Sequence, residues 1–187
     1  MSWYNDNSRP NPSEALLAVL LKAGTVTRTD PTTGETTTTD VADGTFAGLC
    51  GLGSQPARAT ADLGQLLLSD FQRTWVGTRA NALLLRYCLD GVHEGGLGLR
   101  RVQWQANVSN AASVSAAKRL GFRWEGLLRW HQVLPARKRG SEGPTAGWGG
   151  REWGPGRHTA MLSLCWEDWV EGGRDHVDRL VAKVSSS

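Results

Sequence analysis

Asn110 and Ser113 stand three residues apart where an alternating pattern gives way to a helical one. Asn suits the first of these places, because its side-chain oxygen accepts a hydrogen bond from an open amide in the first turn of the helix that follows. Ser113 falls within that turn, where a hydroxyl commonly bonds its own backbone. Gly48-Leu49-Cys50-Gly51-Leu52-Gly53 looks like a phosphate loop. No helical pattern follows it, so its glycines read as strand packing or a bulge. Cys50, Cys88 and Cys165 are odd in number, far apart and without C-x-x-C spacing. They are expected to be reduced thiols, with no metal site. His131 and His158 lie in no motif, and no HEXXH, paired-Cys zinc spacing, nucleophile elbow or Walker loop is present.

The elements that must hold these groups follow from periodicity. Val102, Trp104 and Ala106 alternate with Arg101, Gln103 and Gln105, the period of a strand with two unlike faces, ending near Asn107. Ala111 to Leu120 then read as a helix that Gly121 closes, and Phe122 opens another strand-like run towards Pro135. Upstream, Glu14 to Lys22 predicts a short apolar helix, with Glu in its first turn, Lys in its last and Gly24 beyond. Thr25 to Asp43 is Thr-rich around Asp30-Pro31-Thr32-Thr33-Gly34, which fits a hairpin or a loop. Thr45 to Leu52 and Thr60 to Ser69 read as strands, and Val76 to His93 as a helix with Leu83, Leu84, Tyr87 and Cys88 at helical spacing. Ala136 to Gly156 is a glycine-rich irregular loop, Thr159 to Trp166 the last strand, and Val177, Leu180, Val181 and Val184 stripe a C-terminal helix.

The run from Asn110 and Ser113 through Ala116, Leu120, Gly121 and Phe122 to Glu125 and Gly126 resembles the phrase N-x-x-S followed by A-x-x-x-L-G-F-x-x-E-G. That phrase marks the GNAT superfamily of acyl-CoA-dependent N-acyltransferases, and more narrowly its RimJ/RimL-like branch. The resemblance implies an α/β fold (an α+β mixed sheet) with splayed central strands. Pantetheine would bond main chain there, and the pyrophosphate would lie at the N-terminus of the next helix, whose open amides and dipole favour anions. The matching segment implies Leu66, Leu67, Leu68, Gln72, Arg73, Thr74, Trp75, Val76 and Gly77 as the acetyl-CoA-binding set, joined by Asn110 and Ser113. The main chain near Leu67 and Leu68 would supply a donor for the oxyanion.

The resemblance further implies Ser113 as the acid for the departing thiolate and Asp62, where relatives often have Glu, as the general base. There are departures. Trp75 replaces an inner glycine, and its indole either blocks close approach of the phosphates or points away. Arg79 replaces Glu in a T-E-A phrase, Ala117 stands where many relatives have a catalytic Tyr, and Arg157-His158-Thr159 replaces R-D-T at the entry of the last strand. Ahead of Thr45 the match fails. Relatives usually have a strand and two helices there, so residues 1–44 are expected to be a shortened, divergent N-terminal part and residues 45–187 the acyl-CoA-binding domain. The implied function is an N-acetyltransferase acting on a primary amine, either a small molecule or a protein N-terminus. The alternative is a degenerate module that binds CoA or a protein partner.

Length and composition agree with this class. The 187 residues suit one domain and are 40% hydrophobic, enough to fill a core. A net charge of +3 is too weak to argue for nucleic acid, though it suits an anionic ligand. The reduced thiols imply a cytoplasmic protein, the N-terminus shows no basic and apolar leader pattern, and no apolar run approaches the ~20 residues of a membrane span. Among nine tryptophans, Trp104 and Trp124 lie in strand patterns, while Trp148 and Trp153 lie in the glycine-rich loop, placed for ligand contact.

Overall fold

The computed structural model describes residues 14–140 and 153–185. The chain gathers into two compact units, Met1–Val102 with Cys165–Ser187, and Gln103–Leu164. Strands and helices form the mixed α/β architecture expected of the sequence.

In the first unit, β1 (Glu14–Leu21), β4 (Thr45–Gln55) and β5 (Thr60–Leu67) lie side by side in that order, antiparallel throughout. The helix expected over Glu14 to Lys22 is therefore a strand, paired with β4 from Glu14 opposite Gly53 to Leu21 opposite Thr45. A short apolar run fits either period, and here ladder hydrogen bonds to β4 outweigh local helix propensity. The apparent capping signals serve other ends. Lys22 pairs with Asp43 at 3.5 Å, and Gly24 begins a strand with φ 156°. Since β1 pairs with β4, the first unit continues across residue 45.

The Thr-rich segment is a hairpin, β2 (Gly24–Thr29) and β3 (Thr36–Val41), with Thr27 opposite Thr38. Its turn is held by Asp30, whose carboxylate accepts the amides of Thr32 at 2.7 Å and Thr33 at 3.2 Å. These two amides hold the Asp30 carboxyl below its ordinary pKa. Buried Val26 and Val41 face a cluster with Leu21, Ala47, Phe71 and Val76. No α-helix precedes α1 (Trp75–Leu89) among the described residues. The chain then returns over the C-terminal end of α1, with the amides of Leu97 and Leu99 bonding the carbonyls of Tyr87 and Cys88. A helical turn α3 (Trp166–Asp168), a π turn at Trp169–Gly173 and α4 (Arg174–Ser185) complete this unit, and Val177 is fully buried.

The second unit carries β6 (Arg101–Asn107, its first two residues in the first unit), α2 (Ala111–Arg119), β7 (Arg123–Val133) and β8 (Gly156–Cys165). The strand order is β6-β8-β7, with β7 and β8 antiparallel. Trp104 and Ala106 alternate with more open neighbours as expected, and Trp104 meets Phe122 edge-on at 5.6 Å between ring centroids. Gly121 adopts φ 95°, the left-handed conformation that ends α2 without a Cβ penalty. Residues 141–152 of the glycine-rich loop, Trp148 among them, lie outside the described residues.

Candidate functional site

The segment that leaves β5 is shaped by three local bonds. Strands β4 and β5 keep one register, Gly48 opposite Leu67, and the pairing extends one residue further because the Leu68 amide donates to the Ala47 carbonyl at 2.9 Å. In an antiparallel ladder, bonded and non-bonded pairs alternate, so the N–H and C=O of Leu67 point away from β4. Of the two backbone donors expected here, Leu67 keeps the outward aim, whereas the Leu68 amide is spent on β4. The Leu67 carbonyl accepts from the Gln72 side-chain amide at 2.9 Å, which folds the loop back on the strand end. Leu66 and Leu68 project from the other face of β5, both exposed.

A short turn at Ser69–Phe71 follows, and Arg73 takes φ 62° before the helix begins. Thr74 is the N-cap. Its hydroxyl donates to the Phe71 carbonyl at 2.7 Å and accepts the Val76 amide at 3.2 Å. Val76 and Phe71 are anchored in the cluster beneath the β2–β3 hairpin, and Arg28 of the hairpin donates to the Ser69 carbonyl at 3.3 Å. The Trp75 indole packs against that same cluster and lies under the Arg79 guanidinium, 4.4 Å from the ring centroid. The first turn of α1 contains no acidic residue, with Arg73 before it and Arg79 after it. Its donor set, backbone amides at a capped helix N-terminus, fits an anionic phosphate.

Gly77 allows α1 to approach β5 closely. A Cβ there would stand 3.1 Å from Gln65 Oε1 and 3.2 Å from Leu67 Cδ1. Gln65 and Asn81, which sequence reasoning passed over, fill this contact. The signal for Asn81 was an amide in the middle of an apolar helix, four residues after a glycine.

Asp62 lies five residues before Leu67 in β5, opposite Gly53, half-buried and on the face that carries Leu66 and Leu68. Within the second unit, Asn110 caps α2 by accepting the Ser113 amide at 3.1 Å. The Ser113 hydroxyl in turn accepts the Trp104 indole N–H at 3.0 Å. This fills one acceptor position and leaves the hydroxyl hydrogen to be donated elsewhere. Ala117 is completely buried. His158 Nδ1 accepts the Trp130 amide at 3.0 Å, and His131 Nδ1 lies 3.1 Å from the Thr159 hydroxyl, so both imidazoles are engaged within the β7–β8 region. Burial lowers the pKa of the Arg157 guanidinium, which bonds Gln132 and the Gln105 carbonyl. The Cys88 thiol is pushed up to about 12 by burial, and Cys50 is raised for the same reason, so neither is poised as a thiolate.

A family model described as an acetyltransferase (GNAT) domain matches residues 1–123. The chain belongs to the GNAT acetyltransferase family. No curated protein matches it. Among solved structures, a GCN5-related N-acetyltransferase from Brucella melitensis is 26% identical with a TM-score of 0.59, over 78% of this chain and 56% of that one. RimJ of Mycobacterium smegmatis, solved with CoA-disulfide, is 20% identical with a TM-score of 0.54, over 76% and 58%. The spermidine/spermine N-acetyltransferase SpeG of Vibrio cholerae, solved with manganese ions, is 13% identical with a TM-score of 0.57, over 91% and 75%. This GNAT chain thus spans little more than half the length of the first of these structures.

Proposed function

We propose that the protein is an acetyl-CoA-dependent N-acetyltransferase of the RimJ/RimL-like branch, working in the cytoplasm on a primary amine. One observation carries the reading. The end of β5 turns the Leu67 backbone away from β4 and leads within a few residues into a capped helix N-terminus without acidic side chains. Such a segment offers main-chain bonds to the pantetheine arm and then amides to the pyrophosphate, whatever the side chains at Leu66, Leu68, Gln72, Arg73 and Trp75. The stacking of Trp75 on Arg79 and the apolar cluster supports the reading that its indole points away from the phosphates. Asn110, as cap of α2, holds the first turn that carries Ser113.

In this reaction the neutral amine attacks the thioester carbonyl carbon. The carbonyl electrons move to oxygen, where the Leu67 amide stabilises the oxyanion. Collapse breaks the carbon–sulfur bond, the thiolate leaves with a proton supplied by the Ser113 hydroxyl directly or through water, the amine proton passes to Asp62, and solvent then returns a proton to the Ser113 oxygen as Asp62 releases its own. Calorimetry with acetyl-CoA, followed by a free-thiol assay over a panel of amines and peptides, tests the assignment. Binding with thiol release on an acceptor is expected, and no binding at millimolar ligand would sink it. Ser113→Ala is expected to lower thiol release about a hundredfold. Unchanged turnover removes Ser113 from the mechanism.

A second reading is a module that binds CoA or a protein partner without turnover. It is favoured by the fully buried Ala117, whose methyl group has no proton to donate, and by the Leu68 amide already spent on Ala47. Binding without thiol release on any acceptor would select it.

A further inference from the structure

Between β5 and the first turn of α1 lies a small polar network inside an otherwise apolar contact. The Asn81 side-chain amide donates to the Gly77 carbonyl at 2.8 Å and to Gln65 Oε1 at 3.1 Å. Gln65 Nε2 donates to the same Gly77 carbonyl at 3.4 Å and lies 3.6 Å from Cys50 Sγ on β4. Asn81 is only 2% exposed, and its Oδ1 is buried with no hydrogen-bond partner.

The orientation of that amide is fixed by its neighbours. Turning it over would set its oxygen against two acceptors, the Gly77 carbonyl and Gln65 Oε1, and lose both bonds. A Leu at position 81 would fill an apolar helix face without leaving a buried oxygen unsatisfied. What the Asn does instead is tie the third residue of α1 to a strand residue two before Leu67. The tie closes the base of the loop from Leu68 to Thr74, whose two ends are the strand end and the helix N-terminus. Gly77 is part of it, because a side chain there would press on Gln65 and Leu67.

We infer that Gln65 and Asn81 are positioning residues that hold the helix N-terminal amides in register with the end of β5 for the pyrophosphate of an acyl-CoA, an inference that rests on the reading above. Neither residue touches the ligand in this role. Each acts through the Gly77 carbonyl and the turn it belongs to.

Gln65→Met and Asn81→Leu separate this from a packing role, since both keep volume while removing the amide. CoA affinity is measured by calorimetry and the bound pyrophosphate by its ³¹P resonances, with thermal melting alongside. Both variants are expected to melt within a few degrees of the parent, to bind CoA about tenfold more weakly, and to shift the pyrophosphate resonances of saturated complex towards those of free CoA. Parent-like affinity in either variant overturns the inference. So does weaker binding with unmoved pyrophosphate resonances, the mark of a merely structural loss. Should Asn81→Leu fail to fold, the half-buried Gln65→Met decides alone. Failure of the unsubstituted protein to bind CoA would instead overturn the acyl-CoA reading itself.

Discussion

At its N-terminal end α1 presents main chain, capped by Thr74 and bordered by the backbone of Leu67, whereas at its C-terminal end side chains close on one another. There Asp90 accepts the Trp169 indole N–H at 2.8 Å and an Arg174 nitrogen at 3.2 Å, and Arg174 also donates to Glu94 at 2.8 Å. The two ends are separated by fifteen residues, roughly 22 Å of helix. A carboxylate at the C-terminus of a helix opposes its dipole, and Arg174 compensates it. Asp90, Glu94 and Arg174, which line a pocket with Trp166 and Trp169, thus spend their charges on one another. The lesson is chemical. A helix first turn without acidic side chains remains suited to an anion, while charges bonded to one another are suited to holding the end of α1 to the π turn and α4.

The comparison can be broken at either end. The N-terminal end is most sensitive to an added atom. Gly48, opposite Leu67, has φ 155°, and a Cβ there would stand 2.3 Å from the Leu66 carbonyl oxygen. Gly48→Ala is expected to cost about 3–4 kcal/mol through backbone displacement, read by urea denaturation. A loss under 1 kcal/mol would show that β4 and β5 have slack where the loop departs.

The C-terminal end is most sensitive to a removed atom. Asp90→Ala leaves the Trp169 indole, 2% exposed, without its acceptor and takes one partner from Arg174. The expected cost is about 3 kcal/mol, a fall in Tm of about 6–12 °C for a chain of this size. Affinity for CoA should be unchanged in the folded fraction, and a parallel loss of affinity would refute the separation of the two ends.

A smaller effect sharpens the same contrast by pH. The Arg174 hydrogen bond, then the Gly91 amide, holds the Glu94 carboxyl below its ordinary value of 4.5. A depressed carboxylate contributes stability that is present above its unfolded pKa and lost as pH falls through its folded one. Melting temperature should therefore decline below about pH 4.5, and less steeply in Glu94→Gln. Equal slopes in the two proteins would remove Glu94 from the network.

Patterns written along the chain were legible where one element answers to its own residues. The alternation of Val102, Trp104 and Ala106, the Asn110 cap and the left-handed Gly121 recur in the structure because each depends on neighbours within a few positions. The Asp30 turn was readable for the same reason. Glu14 to Leu21 was not, because an eight-residue apolar run fits a helix or a strand equally until a partner strand is present.

The candidate site divides along the same line. Asn110 is a cap that residue type and position suffice to place, whereas the Thr74 cap emerged only with the structure. That Leu68 gives its amide to Ala47 while Leu67 faces outward is a matter of register, fixed only when β4 and β5 pair. The contact of Gln65 with Gly77 and Asn81 joins residues up to sixteen apart on different elements, and no local periodicity encodes it. By itself, then, the sequence determined the family phrase, the Asn110 cap and the turns, since those rest on local backbone chemistry. Tertiary structure decided which amides are spent, which side chains are buried and how the loop from Leu68 to Thr74 is tied, because each of these depends on what a second element brings alongside.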